Sequence, residues 1–197
     1  TFPEDIGYRC VAVAASDLAA MGARPLAMTL ALTLPDADDF WLHAFSEGLG
    51  QASKAFCLPL VGGDTTRGPC VISVQVFGLV ERGAALLRSG AQPGDAVFVS
   101  GTVGDAAAGL ALLQSRWQPE AAHGEYLLGR YYRPTPRLVL GEKLSDIASA
   151  AVDVSDGLIQ DLGHIAAASA CAIEIQAAGL PLSDALRSHP ERQQQLA

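Results

Sequence analysis

Apolar, strand-like runs alternate with segments of helical periodicity along this chain, and this alternation is the feature that most constrains its fold. After a cap at Asp38 or Asp39, for example, Phe45, Leu49 and Phe56 recur at helical spacing. Alternating strands and helices are typical of an α/β architecture. The segments that predict strands are residues 8–16 (YRCVAVAAS), 26–35, 70–80, 94–101, 150–156 (AAVDVSD) and 171–176 (CAIEIQ).

The composition changes between residues 81 and 94, where Arg, Gly, Ala and Pro dominate. A stretch of this kind is typical of a domain linker. We therefore predict two domains, 1–82 and 83–197. Within the first, we predict that LPLVGGDTTRGP (58–69) is a loop that joins two strands.

Charge and cysteine content exclude several classes of protein. The net charge of −8 opposes binding to the phosphate backbone of nucleic acids. The four cysteines are widely separated in apolar surroundings, which favours buried thiols in a reducing compartment over disulfides or zinc. No apolar run approaches the length of a membrane span, and no export signal is recognisable, so we expect a cytoplasmic protein without a membrane partner.

Acidic residues stand where predicted strands end: Asp17, Asp64, Asp153 and Asp156. Carboxylates at such positions suit Mg²⁺, which prefers oxygen ligands and shares its coordination shell with phosphates. Helix capping explains Asp17 or Asp156 equally well when either is taken alone. Asp153 is harder to explain without a metal, because a carboxylate inside an apolar strand is costly. Asp161, within the following helix, is predicted to be solvated.

Three further segments have alternative explanations. Gly63 and its neighbour permit close approach of the backbone to a phosphate, with Asp64 holding a cation, but a tight turn has the same composition. Asp105 in GTVGD either caps a helix or follows an anion-binding turn. Arg88 has the chemistry to bind a phosphate, but its place at a linker favours a side chain that faces solvent. The sequence contains neither a P-loop nor the protein-kinase motifs.

Five segments taken together resemble the thiamine-monophosphate kinase family in order and spacing. They are IGYRCVAVAASDLAAMGARP, LPLVGGDTTRGP, LRSGAQPGD, VSGTVGDAAAGLALL and VDVSDGLIQDLGHI. The resemblance spans nearly the whole chain. It implies a two-domain α/β fold of the aminoimidazole ribonucleotide synthetase and selenophosphate synthetase type, with mixed sheets flanked by helices.

The resemblance also implies the reaction and the site. Members of the family transfer the γ-phosphoryl group of ATP to thiamine monophosphate with several Mg²⁺ ions. By motif, Asp17, Asp64, Asp153 and Asp156 would bind metal, and Gly63, Asp64, Arg88 and Ser155 would contact ATP. Asp64, Asp153 and Asp156 would act in catalysis through the metal. The acceptor oxygen is already ionised near neutral pH, so no general base is expected.

Both domains are expected to be incomplete, because family members have further N-terminal and C-terminal segments that contribute metal ligands and much of the thiamine pocket. The activity of this chain alone would then be low or absent. A homodimer through the N-terminal domain is expected, with the predicted strands near 8–15 and 71–80 at its interface. The alternatives are a related ATP-dependent synthetase with another acceptor, and a non-catalytic module for nucleotide binding or dimerisation.

Overall fold

The computed structural model describes residues 2–189 and contains one mixed sheet within that range. Its strands are β1 (Arg24–Leu34), β2 (Leu60–Arg67) and β3 (Val71–Leu79). The strand order is β2-β1-β3, with β1 parallel to β2 and antiparallel to β3. The α/β class with a mixed sheet flanked by helices is therefore confirmed. The elements are α1 (Pro3–Ala20), β1 (Arg24–Leu34), α2 (Asp39–Phe56), β2 (Leu60–Arg67), β3 (Val71–Leu79), α3 (Asp105–Leu113), α4 (Ala121–Tyr132), α5 (Leu138–Leu144), α6 (Leu158–Ser169), a 3-10 turn (Ala177–Gly179) and α7 (Asp184–Arg187).

One face of the sheet carries the main core. Met28 and Leu32 point from β1 into a cluster with Val11 and Ala15 of α1 and Phe45 of α2. Asp38 caps α2 as the sequence predicts, its carboxylate accepting the N–H groups of residues 40 and 41. Helices α1 and α2 therefore cover this inner face, while the outer face of the sheet is left without a helix from the described residues.

Two glycines let α1 and α2 cross closely. A Cβ atom on Gly7 would lie 2.2 Å from the carbonyl oxygen of Phe45, and one on Gly48 would lie 1.7 Å from that of Glu4. Neither distance is sterically possible, so any larger residue would separate the helices. This contact sets the position of α1 over the sheet.

The later part of the chain has a smaller core with a polar centre. Leu127 and Leu186 pack with Ala108 around the contact of α3, α4 and α7. Beside them the buried carboxylate of Asp105 accepts hydrogen bonds from Thr102, from Tyr126 (3.1 Å) and from Ser183 (2.6 Å). Of the two explanations for Asp105, capping of α3 is ruled out, because the N-cap residue is Gly104, which has no side chain to bond the first N–H groups of the helix. The carboxylate instead ties three segments together.

Several predicted strands are not strands. Residues 8–16 lie in α1, so a dimer interface through a strand at 8–15 is ruled out. Segments 94–101, 150–156 and 171–176 have no strand pairing in the described structure. The predicted loop at GGDTT is instead part of β2, which pairs in parallel with β1. Strand β3 is confirmed, with Ile72, Val74 and Val76 on its half-buried side.

Among the described residues, no helix is both long and apolar enough to cross a membrane.

Candidate functional site

Among the predicted site residues, Asp17 lies close enough to Asp153 and to Arg88 to interact electrostatically with each of them. The segment that contains Arg88 is held between two others by backbone hydrogen bonds. The Leu86 N–H donates to the carbonyl of Met21, just beyond α1, at 3.1 Å, and the Ala151 N–H donates to the carbonyl of Leu87 at 2.9 Å. These bonds bring the end of α1, the segment 86–91 and the segment 150–153 side by side.

The C-terminal end of helix α6 also holds the segment that contains Arg88. The hydroxyl of Ser169 donates to the carbonyl of Arg88 and accepts the N–H groups of Gly90 and Ala91, each at 3.2 Å. The backbone around Arg88 is therefore held on both sides, while its guanidinium side chain is exposed. An exposed guanidinium on a fixed backbone is well suited to bind an anion that arrives from solvent.

The pKa of Asp17 is raised above its ordinary value. Partial desolvation is the largest cause, the nearby carboxylate of Asp153 is the second, and the positive charge of Arg88 opposes both. Asp153 is half-buried, whereas Asp17 and Arg88 lie at the surface. Two carboxylates with one arginine leave a net negative charge, so a cation between the carboxylates would relieve their repulsion.

Asp64 lies on the outer face of the sheet. Its partner in β1 is Ala31, and the alternate residues Met28 and Leu32 point to the inner face. A 2.9 Å contact between the hydroxyls of Thr33 and Thr66 confirms which side of β2 faces outward. All residues of β2 are exposed, so the Asp64 carboxylate is open to solvent.

Gly63 occupies a position that requires glycine for a structural reason. Its φ of 154° is unfavourable for other residues, and a Cβ atom there would lie 1.9 Å from the carbonyl oxygen of Leu30. A Cβ atom on the adjacent Gly62 would have no other atom within 4 Å. The two glycines of the GGD motif are therefore not equivalent.

Ser155 and Asp156 are exposed in the loop before α6, and Asp161 of that helix is buried beneath them. The prediction that Asp161 is solvated is wrong. Its Oδ2 accepts the N–H groups of Ser155, Asp156 and Gly157 at 3.0, 3.2 and 3.1 Å. The sequence contained a signal for this contact, since a carboxylate in the first turn of a helix lies near the free N–H groups at its start.

Within residues 2–189, no group of three or more His, Cys, Asp or Glu side chains is arranged to hold a metal ion. The fold therefore brings Asp17 and Asp153 near Arg88 without gathering Asp64 and Asp156 into the same cluster. Two carboxylates are a partial ligand set for Mg²⁺, which commonly takes one or two from the protein and completes its shell with waters and phosphates. In this respect Asp17 and Asp153 fit a Mg²⁺ ion.

Comparisons with known proteins match both parts of the chain. The model of the AIR synthase related protein, N-terminal domain, matches residues 1–80, and the model of the AIR synthase related protein, C-terminal domain, matches residues 92–194. The gap between these two matches, residues 81–91, lies within the predicted linker at 81–94.

Among individual proteins, the chain is 52% identical to the thiamine-monophosphate kinase of Escherichia coli (strain K12) over 195 residues. It is 50% identical to the solved thiamine-monophosphate kinase of Stenotrophomonas maltophilia K279a, with a TM-score of 0.94 over 99% of this chain and 63% of that one. A third structure, AaThiL complexed with AMPPCP and TMP, is 36% identical with a TM-score of 0.89, over 95% of this chain and 60% of that one. The alignment with the Escherichia coli protein covers 98% of this chain and 60% of the relative, so the chain spans about three fifths of the length of such relatives.

Proposed function

The chain belongs to the AIR synthase related family, and on that basis we propose that it provides the nucleotide site of a Mg²⁺-dependent kinase that converts thiamine monophosphate to thiamine diphosphate with ATP. The observation that carries this proposal is the proximity of Asp17, Arg88 and Asp153 in a chain 52% identical to a thiamine-monophosphate kinase. The group has the charges needed to hold a cation and a phosphate together.

The proposed roles of Asp17, Arg88 and Asp153 follow from their proximity, and those of the other residues follow from the family resemblance. Asp17 and Asp153 hold Mg²⁺, and the exposed guanidinium of Arg88 donates to a phosphate of ATP. Asp64 and Asp156 are proposed as further metal ligands. The other proposed nucleotide contacts are Gly63, Asp64 and Ser155, so Asp64 would contact both the metal and the nucleotide.

Phosphoryl transfer depends on alignment and on neutralisation of charge more than on a covalent catalyst. When bound, Mg²⁺ would supply the charge that neutralises the phosphates. Asp17 and Asp153 would bind the cation as carboxylates, and a bound cation would offset the repulsion between them. The acceptor oxygen of thiamine monophosphate is itself ionised near neutral pH, so the chain needs no general base.

Nucleotide binding is the first test of the proposal. We expect this chain to bind AMPPCP in the presence of Mg²⁺ and to lose most of that affinity in EDTA, as measured by isothermal titration calorimetry. Asp153→Asn and Arg88→Ala should each weaken binding by roughly tenfold or more, because each removes a charged partner. Glu125→Gln, an exposed carboxylate on α4, is the matched control and should leave binding unchanged.

Substrate choice is tested by turnover. ADP release from the protein that contains this chain should require thiamine monophosphate, whereas aminoimidazole ribonucleotide precursors and selenide should not support it. Release of ADP with either of those compounds in place of thiamine monophosphate would assign the protein to another reaction of the superfamily. Nucleotide binding that is indifferent to Mg²⁺ would instead favour a non-catalytic module.

The outer face of the sheet supports a proposed homodimer through the N-terminal part of the chain. On β3 it presents the side chains of Val71, Phe77 and Leu79, which are 53%, 40% and 48% exposed. Phe77 and Leu79 are neighbours on this face, and Ser73 and Gln75 separate them from Val71. Exposed apolar side chains on one face of a sheet favour a surface that is covered by a partner. Phe77→Lys should shift the mass measured by light scattering from dimer to monomer, and Gln75→Lys on the same face is a second test. A monomeric wild-type chain would refute the dimer.

A cytoplasmic location is also proposed. The prediction of buried thiols is wrong for Cys57 and Cys70, which are exposed and free. Exposed thiols of this kind persist in a reducing compartment. The proposed reaction consumes ATP and thus agrees with this location.

A further inference from the structure

Asp161 makes an unusual set of contacts for a buried carboxylate. Only 3% of the residue is exposed, and one oxygen, Oδ2, accepts three consecutive backbone N–H groups, those of Ser155, Asp156 and Gly157. The donors belong to the loop that begins α6, and Asp161 lies in the first turn of the same helix. The helix therefore bonds back onto its own preceding loop.

Consecutive N–H groups that converge on one point form a concave array that binds anions, and the dipole of α6 adds positive potential at this end. In this chain the anion is the protein's own carboxylate. Burial of an isolated carboxylate is costly, but three N–H donors compensate for it. The loop conformation and the burial of Asp161 therefore depend on each other.

This contact decides how the loop meets a ligand. The N–H groups of the loop point inward to Asp161, so the side chains of Ser155 and Asp156 are exposed to solvent. Asp153 lies two residues before Ser155. We propose that Asp161 is a positioning residue, which presets the loop 155–157 so that Ser155 and Asp156 face the ligand. A phosphate then contacts the loop through side chains or a cation, because the backbone N–H groups are already occupied. The inference rests on the proposed nucleotide site.

Amide hydrogen exchange followed by NMR tests the contact without any ligand. We expect the amides of Ser155, Asp156 and Gly157 to be protected in the wild-type chain. Exchange should be faster in Asp161→Asn, which keeps one acceptor oxygen without the charge, and faster still in Asp161→Ala, which keeps none. Unprotected wild-type amides, or protection that is unchanged in Asp161→Ala, would overturn the proposal.

Titration of Mg²⁺ at a fixed concentration of AMPPCP tests the positioning role. Asp161→Asn should raise the Mg²⁺ concentration at half-saturation roughly tenfold, the effect of losing charge-assisted hydrogen bonds to the loop. Leu127→Ala is the control for a general loss of stability, since Leu127 is fully buried in the separate cluster of α4. It should lower the melting temperature and leave the Mg²⁺ requirement unchanged.

The two proposals fail in different ways. A wild-type chain that does not bind AMPPCP with Mg²⁺ refutes the proposed nucleotide site. A wild-type chain that binds, together with an Asp161→Asn variant that has faster exchange and the same Mg²⁺ requirement, refutes only the positioning role. A Mg²⁺ requirement that rises equally in Leu127→Ala also refutes it, because the effect would then follow stability.

Discussion

Replacing Gly63 with alanine should destabilise the protein substantially, although only one methyl group is added. The new Cβ atom would lie 1.9 Å from the carbonyl oxygen and 3.0 Å from the nitrogen of Leu30, so β2 would have to move away from β1. The φ of 154° adds backbone strain for any residue other than glycine. Together, a strained dihedral and an overpacked contact predict a loss of about 3 to 4 kcal/mol, equivalent to roughly 10 °C in melting temperature for a chain of this size.

Gly62→Ala is the matched control because it adds the same methyl group one residue earlier. Nothing lies within 4 Å of that position, so the free energy of unfolding should change by less than about 0.5 kcal/mol. Thermal and urea unfolding, both followed by circular dichroism, measure the two variants. The reasoning is refuted if Gly63→Ala melts within 2 or 3 °C of the wild type (about 1 kcal/mol), or if Gly62→Ala is destabilised as much. A nucleotide affinity that falls in Gly62→Ala alone would show that this glycine leaves room for a ligand.

Two further predictions concern ionisation. The pKa of Asp17 is raised, so its contribution to stability is greatest below the unfolded pKa and is lost as pH rises through the folded pKa. Asp17→Asn should therefore melt slightly higher than wild type at pH 7 in EDTA, with no such gain at pH 3. An equal or lower melting temperature at pH 7 would contradict the combined effect of partial desolvation and repulsion from Asp153 on the Asp17 carboxylate. Burial raises the pKa of the Cys10 thiol to about 11. At pH 8, iodoacetamide should therefore modify the exposed Cys57 and Cys70 and leave Cys10 unmodified, as measured by peptide mass spectrometry. Modification of Cys10 at the same rate as the exposed thiols would contradict its burial.

Hydrophobic periodicity predicted the elements that have one buried face. Helix α2 is the clearest case, because Asp38 caps it and Phe45, Leu49 and Phe56 are buried at helical spacing. Strand β3 is another, since its alternation matches one half-buried face. In both, the pattern along the chain is produced directly by contact with the core.

The prediction failed where an apolar run had two explanations. Residues 8–16 suggest a strand when taken alone, but Pro3, Glu4 and Asp5 precede them and are typical of the first turn of a helix. Burial of Gly7, Val11 and Ala15 then follows helical spacing. Strand β2 was missed because all of its residues are exposed, so its sequence does not alternate between apolar and polar residues.

The sequence by itself predicted the acidic residues and the glycines of the candidate site from their types and spacing, whereas Arg88 was predicted only through the family resemblance. Only the tertiary structure decided that Asp17 and Asp153 stand near Arg88, that Asp64 lies on the outer face of the sheet, and that Asp161 is buried. The physical reason is that charge interactions and hydrogen bonds depend on distance in space. Segments far apart in the chain become neighbours only when their backbones are joined by packing and by bonds such as those around Arg88.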